Sequence, residues 1–123
     1  MILADTSIWI DHFRRPDPPL IHRIETQAVA IHRLVIEELA VGYLPQRKRT
    51  LHMLARLPML SMIEMPRLIS FIERNELAGR GIGATDAHLL ATARESDAPL
   101  WTRDKRLAAQ ALRLGCLWRA PPN

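Results

Sequence analysis

Four acidic residues, far apart in the chain, stand where a carboxylate could take part in chemistry. Asp5 directly follows a short apolar run, and Asp104 comes shortly after the run Leu100-Trp101-Thr102. Asp86 opens a helix-like segment after a glycine-rich stretch, and Glu38 lies early in another such segment. Because oxygen ligands suit Mg²⁺ and Mn²⁺, these residue types point to a site for a hard divalent cation.

A zinc site is not expected, because the sequence has a single cysteine and lacks a His-x-x-x-His pair. None of the five histidines has a nucleophile at a recognisable spacing. We interpret all of them as structural or solvated residues. They are His12, His22, His32, His52 and His88.

Each acid also has a simpler interpretation. Aspartate is a favoured residue at a helix start, so Asp5, Asp86 and Asp104 taken singly are typical of helix caps. Glu38 taken alone is typical of a solvated helix position. Caps need no mutual proximity, however, and clustered carboxylates repel one another. A fold therefore keeps four of them together mainly when a cation neutralises them.

The hydrophobic pattern predicts alternating strands and helices, which is typical of an α/β fold with a parallel sheet covered on both faces. Thr85 is the predicted cap of the sixth helix. Ligands bind beyond the carboxyl ends of such strands, so the four acids are expected to converge at that edge. Strands are predicted at 2–4, 28–31, 60–63, 100–102 and 116–118; helices are predicted at 7–14, 19–26, 33–43, 45–57, 66–78, 86–95 and 104–114.

Composition narrows the class of protein. The 123 residues are predicted to form a single domain, 1–123. The net charge of +4 and the pI of about 10.2 permit nucleic-acid binding without establishing it. The lone Cys116 is interpreted as a buried residue in a cytoplasmic protein. We expect no signal peptide and no membrane association, because no apolar run approaches the ~18 residues of a membrane span.

Four segments, in order and with matching spacing, resemble the PIN domains and, more closely, the VapC toxins of bacterial toxin–antitoxin pairs. Each motif alone is weak, whereas the series of four is specific and covers nearly the whole chain. The segments are residues 1–7 (MILADTS), 35–42 (VIEELAVG), 81–91 (GIGATDAHLLA) and 100–107 (LWTRDKRL).

The resemblance implies a three-layer fold with strand order 3-2-1-4-5. It also implies magnesium-dependent cleavage of RNA, a homodimer and a VapB-like antitoxin partner, as in type II toxin–antitoxin systems. The family's acidic positions match Asp5, Glu38, Asp86 and Asp104. Glu38 is chosen over the adjacent Glu37 because the family acid precedes a leucine and a later glycine.

Roles follow from that match. Asp5, Asp86 and Asp104 are expected to ligate Mg²⁺, with Mn²⁺ as a substitute, while Glu38 ligates the ion or orients the attacking water. Ser7 and Thr102 match positions whose hydroxyl groups support the carboxylates; ordinary helix capping is the alternative. Basic residues that flank the acids are candidate RNA contacts or, alternatively, plain solvated surface. These candidates are Arg80, Arg103, Lys105 and Arg106.

An antitoxin segment is expected to lie against helices within 7–26 and 33–57, which are rich in apolar residues. The alternative is that these residues serve the core or a homodimer. An Arg or Lys from the antitoxin could pair with the site acids and displace the metal. The apolar residues that suggest this surface are Trp9, Phe13, Leu44, Met53 and Leu54.

Functions of other classes fit less well. A phospho-receiver domain needs paired acids after the first strand and an acceptor aspartate after the third, where Glu64 follows Ile63. A phosphatase of the haloacid dehalogenase type needs an aspartate at the position of Ser7. A PIN fold that binds without catalysing a reaction remains open as the alternative, and the presence of all four acids argues against it.

Overall fold

Three short parallel strands form the centre of the molecule in a computed structural model that describes residues 1–121. Strand β1 (Ile2–Ala4) lies between β2 (Val29–Ala30) and β3 (Leu100–Trp101) and is parallel to both. Leu3 pairs with Ala30 on one side and with Leu100 on the other. All of these strand residues are buried, as expected for a parallel sheet with helices on its faces.

The α/β class and the parallel sheet are confirmed, but the two predicted outer strands are wrong as regular strands. In place of strands at 60–63 and 116–118, the chain forms two single parallel bridges, which are Ile31 to Met59 and Leu100 to Leu117. The bridges lie on the sides that the order 3-2-1-4-5 requires. At the Ile31–Met59 bridge, the carbonyl of Pro58 accepts from Ile31 N at 2.8 Å. Because Pro58 has no amide hydrogen, the pairing cannot continue from there towards the N-terminus.

Seven helices are found in residues 1–121, close to where the pattern predicts them. Among these residues no helix is both long and apolar enough to cross a membrane. Their bounds are α1 Thr6–Arg14, α2 Pro18–Glu25, α3 Arg33–Val41, α4 Arg47–Ala55, α5 Met65–Arg74, α6 Ala84–Glu95 and α7 Lys105–Arg113.

Two helix boundaries differ from the prediction. Helix α5 ends four residues before the predicted end, because Asn75 Nδ2 donates to Phe71 O at 2.9 Å and Glu76 adopts a left-handed conformation with φ 51°. Helix α6 begins before Thr85, so Thr85 is not its cap. The cap is Gly83, whose N–H donates to Asp86 Oδ2 at 3.3 Å. Asp86 thus closes the helix end from within its first turn.

The core lies between the sheet and the helices, and it includes several residues predicted to contact an antitoxin. Trp9, Leu44 and Leu54 are buried inside this chain, so they are not available to a partner. Phe13 and Met53 are half-buried and pack against the same core. The alternative interpretation, that these side chains serve the core, is therefore the correct one. Cys116 is also buried, as predicted.

Candidate active site

Asp5 occupies the carboxyl edge of the sheet. Its amide N donates to Trp101 O at 2.9 Å, which sets the ends of β1 and β3 side by side. The hydroxyl groups of Ser7 and Thr102 then reach opposite oxygens of the carboxylate: Ser7 Oγ donates to Oδ1, and Thr102 Oγ1 donates to Oδ2. Two residues 97 positions apart are thereby joined by one hydrogen bond.

Asp5 is also the N-cap of α1, because its Oδ1 accepts from Ser7 N at 2.9 Å and from Ile8 N at 3.4 Å. Only 5% of the residue is exposed. This burial raises the pKa of the Asp5 carboxyl above its ordinary value, and the hydrogen bonds from Ser7, Thr102 and Ile8 offset part of the increase. Capping and hydroxyl support are both present at this residue, so one interpretation does not exclude the other.

Asp86 is half-buried at the start of α6, and its environment differs from that of Asp5 because the charges of other acids act on it. Burial is the first cause that raises the pKa of its carboxyl, while the hydrogen bond from Gly83 N lowers it. The negative charges of Asp104 and Glu38 raise it further. Three of the predicted acids, carried by separate helices or their caps, therefore lie within electrostatic reach of one another.

Asp104 caps α7, with Oδ1 accepting from Leu107 N at 3.0 Å. Its own amide N donates to Thr102 Oγ1 at 3.0 Å. The Thr102 hydroxyl thus accepts from the backbone of Asp104 and donates to the carboxylate of Asp5. The Thr102 side chain therefore holds two of the predicted metal ligands, Asp5 and Asp104, close to each other.

Glu38 and Glu37 lie in different surroundings. Glu38 Oε2 accepts from Thr6 Oγ1, next to Asp5, and its charge acts on Asp86. Glu37 pairs instead with Arg33 at 2.9 Å, both side chains being largely exposed. The fold therefore directs Glu38, and not Glu37, towards the other acids. Sequence reasoning missed Thr6, which carries no distinguishing signal because its partner lies 32 positions away.

The four acids share this edge without enclosing a common point. Within residues 1–121, no three His, Cys, Asp or Glu side chains form a group that could hold a metal ion as they stand. Both oxygens of Asp5, and one oxygen each of Glu38, Asp86 and Asp104, accept hydrogen bonds from hydroxyl or backbone donors instead. The carboxylates are close enough to influence one another electrostatically, and they would have to reorient to ligate one ion together.

A family model described as PIN domain matches residues 2–112.

The chain belongs to the PIN-domain family.

A curated relative is Ribonuclease VapC32 of Mycobacterium tuberculosis, which is 43% identical over 116 residues, or 94% of each chain. Two solved structures share the fold. A toxin–antitoxin complex from Klebsiella pneumoniae matches with a TM-score of 0.67 and 26% identity, covering 88% of this chain and 91% of that chain. VapBC-1 from nontypeable Haemophilus influenzae matches with a TM-score of 0.71 and 20% identity, covering 97% of both chains.

Arg103 of this PIN domain is committed to internal contacts, although its position suggested a phosphate contact. Its guanidinium pairs with Asp11 at 2.9 Å and with Asp17, and it lies 5.7 Å from the ring centre of Trp101. Its backbone N donates to Ser7 Oγ at 3.0 Å. Arg103 therefore braces the segment that supports Asp5, and binding a phosphate would require breaking two ion pairs.

The other basic candidates of the PIN domain are more accessible. Lys105 and Arg106 are exposed in the first turn of α7, directly after Asp104. Arg106 passes over Gly81, where a Cβ would lie only 3.1 Å from its Cδ; Gly81 also has φ 78°, so a larger residue there would be strained. Arg80 Nε donates to Glu76 O at 2.9 Å. Lys105 and Arg106 are thus the better placed candidates.

Proposed function

We propose that this PIN domain is a magnesium-dependent endoribonuclease, acting in the cytoplasm as the toxin of a type II toxin–antitoxin pair. The observation that carries the proposal is the placement of the four acids at one edge of the sheet, where the Ser7 and Thr102 hydroxyl groups hold Asp5 and the charges of Asp104 and Glu38 act on Asp86. The relative named Ribonuclease VapC32 supports the ribonuclease activity, and the VapBC-1 structure supports the toxin–antitoxin role.

Asp5, Asp86 and Asp104 would hold Mg²⁺, with Mn²⁺ as a substitute. The donor set fits such an ion, because it consists of carboxylate and hydroxyl oxygens and its uncompensated negative charge favours a cation. Asp86 Oδ1 and Asp104 Oδ2 lie outside the hydrogen bonds found for these carboxylates in residues 1–121. When bound, the ion would neutralise phosphate charge and lower the pKa of an attacking water.

The chain's own residues would position the reactants. Glu38 Oε2 is occupied by the Thr6 hydroxyl, so Oε1 is available to accept a hydrogen from the attacking water and orient it. Lys105 and Arg106 would attract the phosphates of the RNA, since both follow directly after Asp104. Thr102 would keep Asp5 and Asp104 in place through its two hydrogen bonds.

The activity is tested by incubating purified protein with RNA, measuring cleavage products, and then adding EDTA. We expect EDTA to stop cleavage, Mg²⁺ or Mn²⁺ to restore it, and Zn²⁺ alone to fail. Undiminished cleavage in a metal-free sample would contradict the metal dependence. RNA binding without cleavage at any metal concentration would favour the alternative, a non-catalytic PIN-fold binding module.

An antitoxin partner is part of the proposal, at a smaller surface than the sequence suggested. Ile10, Val41 and Tyr43 are the exposed large apolar residues on or beside α1 and α3, with Val41 and Tyr43 exposed by 88% and 89%. Ile10 and Tyr43 line a pocket of about 360 Å³ that also includes Glu38. A segment of a VapB-like antitoxin bound there would reach the sheet edge that carries Asp5, Glu38, Asp86 and Asp104, here called the acidic edge. A basic side chain of the segment could pair with these carboxylates.

The partner is tested by co-purification from the native operon followed by metal titration. We expect a small second protein, and a complex that binds Mg²⁺ far more weakly than the free chain. Isolation without a small partner, or unchanged Mg²⁺ affinity in the complex, would contradict the proposed occlusion. The proposal also includes a homodimer, for which the exposed Met65 and Ile69 of α5 offer an apolar surface; sedimentation analysis of the free chain measures it.

A further inference from the structure

Two histidine rings meet inside the protein, outside the set of site acids. His32 is fully buried and caps α3, its Nδ1 accepting from Leu34 N at 3.1 Å. His88 lies in α6, with its ring centre 6.2 Å from that of His32. Among the described residues, the buried atoms His32 Nε2 and His88 Nδ1 have no hydrogen-bond partner. Buried polar atoms without partners are uncommon in folded proteins and call for an explanation.

The cap determines which nitrogen of His32 carries the hydrogen. Burial, followed by the nearby charges of His88 and Arg33, lowers the pKa of His32 to about 4, although Glu37 opposes the change. The ring is therefore neutral at pH 7. A neutral imidazole has one donor and one acceptor nitrogen, and Nδ1 is the acceptor because it receives Leu34 N–H. Nε2 of His32 must then be a buried donor, and the neighbouring ring of His88 carries a second buried nitrogen without a partner.

We propose that one bound water molecule accepts from His32 Nε2–H and forms a second hydrogen bond with His88 Nδ1, and that this link makes both histidines positioning residues of the site. The two nitrogens make no direct hydrogen bond although their rings are neighbours, and a bridging water is a common partner for buried polar atoms of this kind. The link joins the start of α3 to the first half of α6. It thereby connects the two helices that carry Glu38 and Asp86.

The functional part of this inference rests on the proposed function. Glu38 lies six residues after His32, and Asp86 lies two residues before His88. The charge of Glu38 already affects the pKa of Asp86, so a change in their separation alters the electrostatics of the site. Holding the two helices together near these residues keeps the acids at a constant spacing, as outer residues do around reactive centres.

The link is tested directly by ¹⁵N NMR of the histidine rings in the full chain at pH 7, without any RNA. We expect the His32 ring to be neutral, with its hydrogen on Nε2. A hydrogen on Nδ1 of His32 would overturn the proposal. This measurement stands even if the chain fails to cleave RNA, so the failure of the proposed function and the failure of the link are distinguishable.

Variants test the positioning role. His88→Gln retains a side-chain oxygen that can accept a hydrogen bond, whereas His88→Leu does not. We expect His88→Leu to lower kcat by about tenfold with little change in KM, and His88→Gln to recover much of the loss. The matched control is His52→Leu, at an exposed position of α4, which should leave kcat unchanged.

His32→Asn separates the cap from the link, because asparagine can still accept Leu34 N–H but has no counterpart of Nε2. We expect it to fold and to lower kcat as His88→Leu does. Wild-type kcat in folded His88→Leu protein, or a Gln variant no better than the Leu variant, would overturn the positioning role. If His88→Leu does not fold, His32→Asn and the NMR measurement decide the question.

Discussion

The acidic edge has two halves that are built differently. Asp5 is almost fully buried, and both of its carboxylate oxygens accept hydrogen bonds from hydroxyl groups. Asp86 is half-buried, accepts one backbone hydrogen bond, and feels the charges of Asp104 and Glu38. Burial is the first cause of a raised pKa in both, but only Asp86 owes part of its shift to other acids. Neutral donors hold the Asp5 carboxylate in place, whereas Asp86 lies among negative charges that a bound cation would neutralise.

The largest expected effect comes from removing either half. Asp5→Asn and Asp86→Asn should each lower RNA cleavage by about a hundredfold or more, because each removes a proposed metal ligand. Both proteins should remain folded by circular dichroism, since asparagine retains a carbonyl oxygen for the helix cap. Asp97→Asn, at an exposed left-handed position after α6, is the control and should keep full activity. Full activity in both site variants would remove the basis for the metal site.

A second comparison separates the adjacent glutamates. Glu38→Gln should lower kcat by about a hundredfold because it weakens the orientation of the attacking water. Glu37→Gln should leave kcat near the wild-type value, because Glu37 only pairs with Arg33 on the exposed face of α3. Cleavage rates of the two variants under identical metal conditions give the result directly. A larger loss in Glu37→Gln would mean that Glu37 takes the role assigned to Glu38.

A smaller effect is expected from the hydroxyl groups around Asp5. Thr102→Val should lower cleavage by about tenfold, because Thr102 supports both Asp5 and Asp104. Ser7→Ala should have a weaker effect, since Ser7 N still caps the same carboxylate. Loss of either hydroxyl should raise the pKa of Asp5 further, which NMR titration of the metal-free protein measures. A Ser7 variant more impaired than the Thr102 variant would contradict this ranking.

The smallest effect concerns the stability of the metal-free protein. The folded-state pKa of Asp86 is raised, so its ionised form opposes folding at neutral pH. Asp86→Asn should therefore increase the free energy of unfolding at pH 7 and low salt, but only by about 0.5 kcal/mol, because solvent screens the charge of this half-exposed carboxylate. The gain should shrink as pH falls through the raised pKa of Asp86 and vanish below its ordinary value, where the wild-type carboxyl is protonated in both states. Urea titrations across this pH range measure the difference; a gain that grows on acidification would contradict the assigned sign.

Protonation of His32 has the opposite effect on stability to that of Asp86, because its pKa is lowered and not raised. Its pKa is lowered to about 4, so its contribution to stability is present above the ordinary pKa of 6.5 and is lost as pH falls towards about 4. Wild type and Asp86→Asn share this loss. The difference between the two proteins at each pH therefore isolates Asp86.

Much of the fold could be predicted from the sequence because it depends on local signals. Apolar runs followed by aspartate mark β1 and β3 and the helix caps Asp5 and Asp104, which the structure places as predicted. Parallel strands bring their carboxyl ends to one edge, so the meeting of Asp5 with Thr102 follows from the alternation of strands and helices. The four motifs in series were sufficient to indicate the PIN family, because their order and spacing span nearly the whole chain.

Only the tertiary structure decided which side chains are free and which are already engaged. Arg103 looked like a phosphate contact, but it pairs with Asp11 and Asp17, which lie 92 and 86 positions away. Trp9 looked like a docking residue, yet it is fully buried. Thr6 reaches Glu38 across 32 positions, and no local pattern distinguishes it from its neighbours. Periodicity shows which face of a helix is apolar, but what that face packs against depends on contacts between distant segments, which exist only once the chain has folded.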